Sequence, residues 1–295
     1  MSFREEIKTA VQHQRPKLNA NSVKTYVSIL FNIHKTLNGK DDLKWFNEDK
    51  PIMEHLKEKT PKTRKTILSA LFILTGNDEY RKVMLDDCKI VNDDYKQQKK
   101  DPKEIEGWID IDEIHKIYSA HMDRFKEILN KKVMGSYTEI MNFLLLGLLG
   151  GVSGLPPRRS LDYAQMKIKN YNPKTDNYYK AGKFYFNIYK TAEKYGSQVV
   201  NVKDLAPDFN ALIVKWIKSD PTDYLLFSTN KNPLTSPQIT RMLNKIFGKR
   251  TSTDILRHVY LSDKYKNIPA LEDMEKTATL MSHSLSTALQ YIKRD

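Results

Sequence analysis

The stretch NYYKAGKFYFNIYKT (177–191) decides the fold class, because here a chain that otherwise reads as helix turns to strand. It is dense in aromatic and β-branched residues. MKIKNY (166–171) precedes it and SQVVNVK (197–203) follows, with turn signals between the runs, so one small sheet is predicted. On both sides the text is helical, from Ile111 to Leu149 and again from Pro207 onward. The most apolar run, IMNFLLLGLLGGVSGL (140–155), is too short and too rich in glycine to span a bilayer and reads as a buried helix that breaks into a loop.

The first hundred residues carry no strand signal. In NANSVKTYVSILFNIHKTLNG (19–39), Val23, Tyr26, Val27, Leu30, Ile33 and Leu37 recur at three- and four-residue steps, with Asn21 or Ser22 as the cap and Gly39 as the stop. TPKTRKTILSALFILTG (60–76) is a second helix, with Thr60 as cap, Pro61 in the first turn and Gly76 at the end. A third runs through DEYRKVMLDDCKIVNDDYKQQKK (78–100). Charge without apolar content, a proline and a closing glycine mark DYKQQKKDPKEIEG (94–107) as the interdomain region. The predicted architecture is a helical domain over 1–98, a linker over 99–107 and an α+β domain over 108–295.

Length and composition fit two globular domains. A single cysteine, Cys88, excludes a disulfide framework and any multi-cysteine zinc site, and points to a reducing, intracellular compartment. The formal charge of +13 suits a polyanionic partner. The amino-terminal MSFREEIKTAVQHQRP has no apolar run, so neither signal nor transit peptide is expected, and no membrane partner. Abundant Lys, Asn and Tyr suggest an AT-rich genome, that of a virus or mobile element, which would place the protein in the nucleus or cytoplasm of a host cell.

Four stretches hold groups suited to a phosphodiester: GLPPRRSLDYAQMKI (154–168), IYKTAEKYGSQVVNV (188–202), TDILRHVYLSDKY (253–265) and the closing MSHSLSTALQYIKRD (281–295). In order and spacing they resemble the tyrosine recombinases, the integrases of phage and retrotransposon type. That family has an arginine after a Gly-Leu turn with an acid three residues on, a lysine in a β-hairpin, a Leu-Arg-His helix about a hundred residues later, and a carboxy-terminal His…Tyr. Gly154-Leu155 precedes Arg159 and Asp162, Lys190 lies between strand-like runs, Leu256-Arg257-His258 follows, and His283 and Tyr291 close the chain. The likeness extends to DYLLFSTNKNPLTSPQITRMLNKIFGKR (223–250) and to the helix NSVKTYVSILFNIHKTL (21–37).

The resemblance implies an all-α, SAM-like core-binding domain followed by a mixed α+β catalytic domain with a small antiparallel sheet. It also implies metal- and ATP-independent cutting and rejoining of double-stranded DNA by a homotetramer, with strands exchanged through a Holliday junction and no cofactor. Tyr291 would be the nucleophile that stores the bond energy as a phosphotyrosine. Arg159 and Arg257 would clamp the non-bridging oxygens, where a planar, permanently charged fork suits the charge of the transition state. Lys190 would protonate the leaving 5′ oxygen. His283 would bond the phosphate or take the tyrosine proton, Ser284 or Ser286 would cap the helix aiming Tyr291, and His258, Asp254 and Asp162 would support the cluster.

Some assignments stay open on the sequence. Arg158 competes with Arg159, which is preferred because the following DYAQMKI then aligns, leaving Arg158 as a DNA-backbone contact. Lys194 competes with Lys190 within one hairpin. Lys24, Lys62, Arg64 and Lys65 are candidate DNA contacts in the first domain. Tyr163, Tyr189, Tyr195, Tyr260 and Tyr265 read as core or hairpin residues, and His34 and His115 as structural. Asp254 departs from the family, most of whose members carry His or Lys three positions before the second arginine. The His-to-Tyr interval is one residue shorter than usual, and only IKRD follows the tyrosine. The rival readings are a type IB topoisomerase and a catalytically silent DNA-binding protein of the same fold.

Overall fold

The protein is described from a computed structural model over residues 2–131, 133, 135–282, 284–286 and 289. Contacts divide it into two units, Met1–Lys99 with the chain from Pro269 onward, and Lys100–Ile268.

In the first unit α1 (Phe3–Gln14), α2 (Ala20–Thr36), a 3-10 turn (Leu43–Asn47), α3 (Asp49–Leu56), α4 (Pro61–Thr75) and α5 (Asp78–Lys96) surround one apolar core. On α2 the predicted period is realised: Val23, Val27, Leu30 and Ile33 are buried. Its cap is Asn19, whose Oδ1 accepts Ser22 N–H at 2.8 Å, two residues before the earliest cap the sequence suggests. Tyr80 on α5 donates its buried hydroxyl to Phe46 O at 2.8 Å, and burial holds its phenol well above the ordinary range. His34 is buried beside Phe3 and Trp45, while His115 is exposed.

Arg64 joins α4 to α5. Its Nε and Nη2 donate to the two oxygens of Asp87 at 2.8 and 2.5 Å, and Asp87 is 1% exposed. Two donors of the side chain that the sequence reads as a DNA contact are thus engaged by Asp87 within the fold. Lys24 is exposed, Lys65 is half-buried, and Lys62 lies 5.7 Å from the Tyr95 ring. Helix Leu271–Leu280, expected in the second domain, groups with the first unit: Leu271 N donates to Gln98 Oε1 at 3.0 Å and Glu275 pairs with Lys96 at 3.2 Å.

The second unit opens where the sequence predicts a linker. Pro102–Gly107 form α6, begun by a capping box in which Asp101 accepts Glu104 N–H at 2.9 Å and Glu104 accepts Asp101 N–H at 2.7 Å. Two of the charges that read as a solvated tether, Asp101 and Glu104, cap a helix. Then come α7 (Ile111–Leu129) and α8 (Tyr137–Leu149), and α8 is buried nearly all round, its Phe143 packing on Tyr118 and Phe125 of α7. After α9 (Ser160–Ala164) the strands β1 (Tyr178–Lys180), β2 (Lys183–Phe186) and β3 (Gln198–Asn201) form an antiparallel sheet in sequence order, with α10 (Ala192–Tyr195) in the β2–β3 connection. The pairs Tyr178↔Tyr185 and Phe184↔Val200 fix the register.

Alternation along β2 puts Phe184 and Phe186 in the core and Tyr185 on the other face, stacked on Tyr178 at 4.5 Å. MKIKNY is not a strand, because Lys167 bridges once to Tyr178 and once to Tyr224, and one residue shared between two partners builds no ladder. The unit closes with α11 (Val202–Leu205), α12 (Pro207–Ile217), α13 (Ser236–Phe247) and α14 (Thr253–Lys264). Among the described residues no helix is long and apolar enough to cross a membrane.

Candidate active site

The loop after α8 delivers the arginines. Gly154 lies at φ +98°, and an added Cβ would stand 2.4 Å from the carbonyl oxygen of Leu205, so both the backbone angle and the close approach call for glycine. Leu155 then drops into the core, 2% exposed. Two prolines extend the chain to Arg158 and to Arg159, which is the N-cap residue of α9. The helix is tied to α13 through Ser160 and Ser236, whose hydroxyls lie 2.6 Å apart.

The neighbouring arginines have opposite environments. Arg158 donates from Nε to Asp162 Oδ2 at 2.8 Å and from a terminal nitrogen to Gln198 Oε1 of β3 at 3.0 Å, with its guanidinium 4.0 Å from the Phe186 ring centre. It ties loop, α9 and sheet together. Arg159 is half-buried, and its side chain has no hydrogen bond or ion pair with any described residue.

Asp162 is the hub, 2% exposed, with Oδ1 lacking a partner among the described residues. Burial pushes its carboxyl above the ordinary carboxylate range, against the opposing pull of Arg158, Arg159 and Arg257. The charges of Arg159 and Arg257 therefore both reach one buried carboxylate, though the two residues are 98 positions apart in sequence.

Arg257 projects from α14, whose Ile255, Leu256 and Val259 are buried. It is 25% exposed at the side chain, and a terminal nitrogen lies 2.8 Å from Asp254 Oδ1. His258, the next residue, contacts Glu104 Oε1 on α6 through its Nδ1. Lys190 and Lys194 are both exposed in the β2–β3 connection, with the Lys194 ammonium 5.1 Å from the Tyr195 ring centre. Tyr189 OH anchors the connection by donating to Gly196 O at 2.6 Å, and the Asn177 carboxamide does so by donating to Ile188 O at 2.7 Å. Tyr163 is buried and Tyr195 lies in the β2–β3 connection, as core or hairpin residues should, whereas Tyr265 is 50% exposed at the end of α14 and is neither. His283 and Tyr291 lie outside the described residues. Ser284 and Ser286 are exposed.

Three structural partners were not singled out in the sequence: Gln198, Glu104 and Asn177. Nothing local distinguishes Gln198 or Asn177, whose role comes from strand neighbours. Glu104 stands three residues after Asp101 with a proline between, a capping-box pattern that the surrounding charge obscures.

Two solved recombinases resemble this chain over nearly its whole length. A crystal structure of a XerA recombinase matches at 14% identity and a TM-score of 0.36, covering 99% of this chain and 94% of its own. A XerH site-specific recombinase, bound to its difH substrate in a pre-cleavage complex, matches at 16% identity and a TM-score of 0.38, covering 99% and 92%. No family model matches the sequence. No curated protein matches it either.

Proposed function

We propose that the protein is a DNA strand-transfer enzyme, a site-specific tyrosine recombinase. The observation that carries this reading is that Arg159 and Arg257 both lie within electrostatic range of the buried Asp162, and that the Arg159 side chain has no hydrogen bond or ion pair among the described residues. Neither guanidinium is bonded to that carboxylate, so the Arg159 donors and those Arg257 does not give to Asp254 are available, and their fork geometry suits the non-bridging oxygens of one phosphate.

In the proposed reaction the Tyr291 oxygen attacks phosphorus and the bond to the 5′ oxygen breaks. The leaving oxygen takes a proton from Lys190, and the phenolic proton passes to His283. A 5′ hydroxyl then attacks the phosphotyrosine and gives its proton to Lys190, while the leaving phenolate takes its proton back from His283, so the backbone reseals without ATP. Four protomers on two DNA sites would exchange strands pairwise.

The test is a nicked suicide duplex carrying the ends of the encoding element. Wild type should trap a covalent protein–DNA species that Tyr291→Phe abolishes, and Arg159→Ala and Arg257→Ala should each slow trapping about 10²- to 10³-fold. No covalent species from wild type, or one that survives Tyr291→Phe, overturns the reading. A second reading, a silent DNA-binding protein, is favoured by the pairing of Arg257 with Asp254, and it expects duplex binding without trapping.

A further inference from the structure

At the carboxy-terminal end of α13 an open groove of about 490 Å³ is lined by Glu106, Asn244, Lys245, Gly248, Lys249 and Arg250. It has three cations and one anion. Arg250 Nε stands 3.8 Å from Glu106 Oε1, and Arg250 is 84% exposed at the side chain, so this pair leaves the guanidinium largely in solvent. Another cation, Lys100, stands 3.6 Å from the ring centre of Trp108, whose carbonyl accepts from Lys249 Nζ at 3.3 Å. Arg241 is exposed one turn before Lys245 on α13, about 6 Å along the helix axis.

The loop that presents Lys249 and Arg250 is built to be rigid. A Cβ on Gly107 would lie 2.4 Å from the Arg250 carbonyl oxygen, so the backbones touch only because residue 107 is glycine. Thr251 is fully buried and donates its hydroxyl to Gly107 O at 2.9 Å. Two residues later α14 begins, the helix that carries Arg257. Cations held on a fixed loop that leads directly into this helix keep a constant offset from Arg257, as a binding site for a regular polyanion requires.

We infer that Lys245, Lys249 and Arg250 form a backbone-phosphate site for double-stranded DNA, separate from the Arg159–Arg257 cluster. It rests on the DNA-binding part of the proposed function and needs none of the chemistry. Several cations in a row, with no aromatic side chain lining the groove, suit consecutive phosphates better than a nucleoside or an unstacked base.

The experiment measures affinity of the full chain for a fluorescent mixed-sequence duplex as a function of salt. Each lost phosphate contact lowers the slope of log K against log salt by about 0.9. Lys245→Gln with Arg250→Gln should therefore lower the slope by about 1.8, and adding Lys249→Gln by about 2.7. The double variant leaves the Lys249–Trp108 bond in place, so the test does not depend on the triple variant folding. The charge-preserving pair Lys245→Arg with Arg250→Lys should keep the wild-type slope. An unchanged slope in a folded double variant overturns the groove and leaves the catalytic reading standing. A lowered slope in a chain that never traps covalent DNA supports the groove and overturns the catalytic reading.

Discussion

Replacing Arg158 with methionine should cost stability and replacing Arg159 should cost chemistry, although the two residues are adjacent. Arg158 is the partner of a carboxylate that is 2% exposed, and its planar group covers Phe186. Removing one member of a buried pair typically costs 3–5 kcal/mol, because the remaining charge has no compensation. Two features place this case at the low end. Asp162 can take up a proton, and Arg159 and Arg257 still act on it, so about 3 kcal/mol is expected. With a urea m-value of about 3 kcal/mol/M, the midpoint should fall by about 1 M. Arg159→Met breaks no side-chain hydrogen bond or ion pair with a described residue and should change stability by no more than about 0.5 kcal/mol.

The pH dependence of the same site has a definite sign. Burial raises the Asp162 carboxyl above its ordinary 3.8, so the folded chain binds that proton more tightly than the unfolded chain. Its contribution to stability is complete below about pH 3.8 and is lost as pH rises through the folded value. Asp162→Asn should therefore gain on wild type as pH rises through that window. Urea titrations of the three variants across pH, alongside suicide-substrate trapping, read out both roles. An Arg158→Met protein that unfolds at the wild-type midpoint yet fails to trap DNA, beside an Arg159→Met protein that traps normally, refutes the assignment.

Asp254→Asn frees Arg257 from an exposed pair, so stability should move by less than about 1 kcal/mol. Removing a negative charge from the phosphate's surroundings should speed covalent trapping about 5-fold at low salt, with a smaller gain at high salt; a slower rate counts against the clamp role of Arg257. Arg64→Met should destabilise the first unit by about 3 kcal/mol in denaturant titration, whereas Lys24→Gln should stay within about 0.5 kcal/mol. Equal effects would show that the Asp87 pair is not a structural tie. Gly107→Ala drives a methyl into the Arg250 carbonyl and should cost about 1–3 kcal/mol, seen as a lowered urea midpoint; no change would mean the loop yields there.

What the sequence made legible follows from the range of each interaction. The apolar period of α2 and the α4 start at Pro61 were readable because period and proline act within a few residues, whereas the α2 cap lies two residues before the earliest candidate. So was the strand run of 177–191, where aromatic residues alternate over a short turn. The same local reading failed where a residue's partner is distant. Arg64 has the look of a surface cation until Asp87, 23 residues on, accepts from its Nε and Nη2. Arg158 and Arg159 are the sharper case: two identical side chains in sequence, separated only by a strand residue forty positions away and an aspartate one helical turn on. Choosing between them from spacing gives a position for the free guanidinium, and the reason lies in the contacts of its neighbour. Because Arg158 saturates one oxygen of Asp162 and leaves the other open, a single buried carboxylate orders the loop while two further cations remain able to face a phosphate.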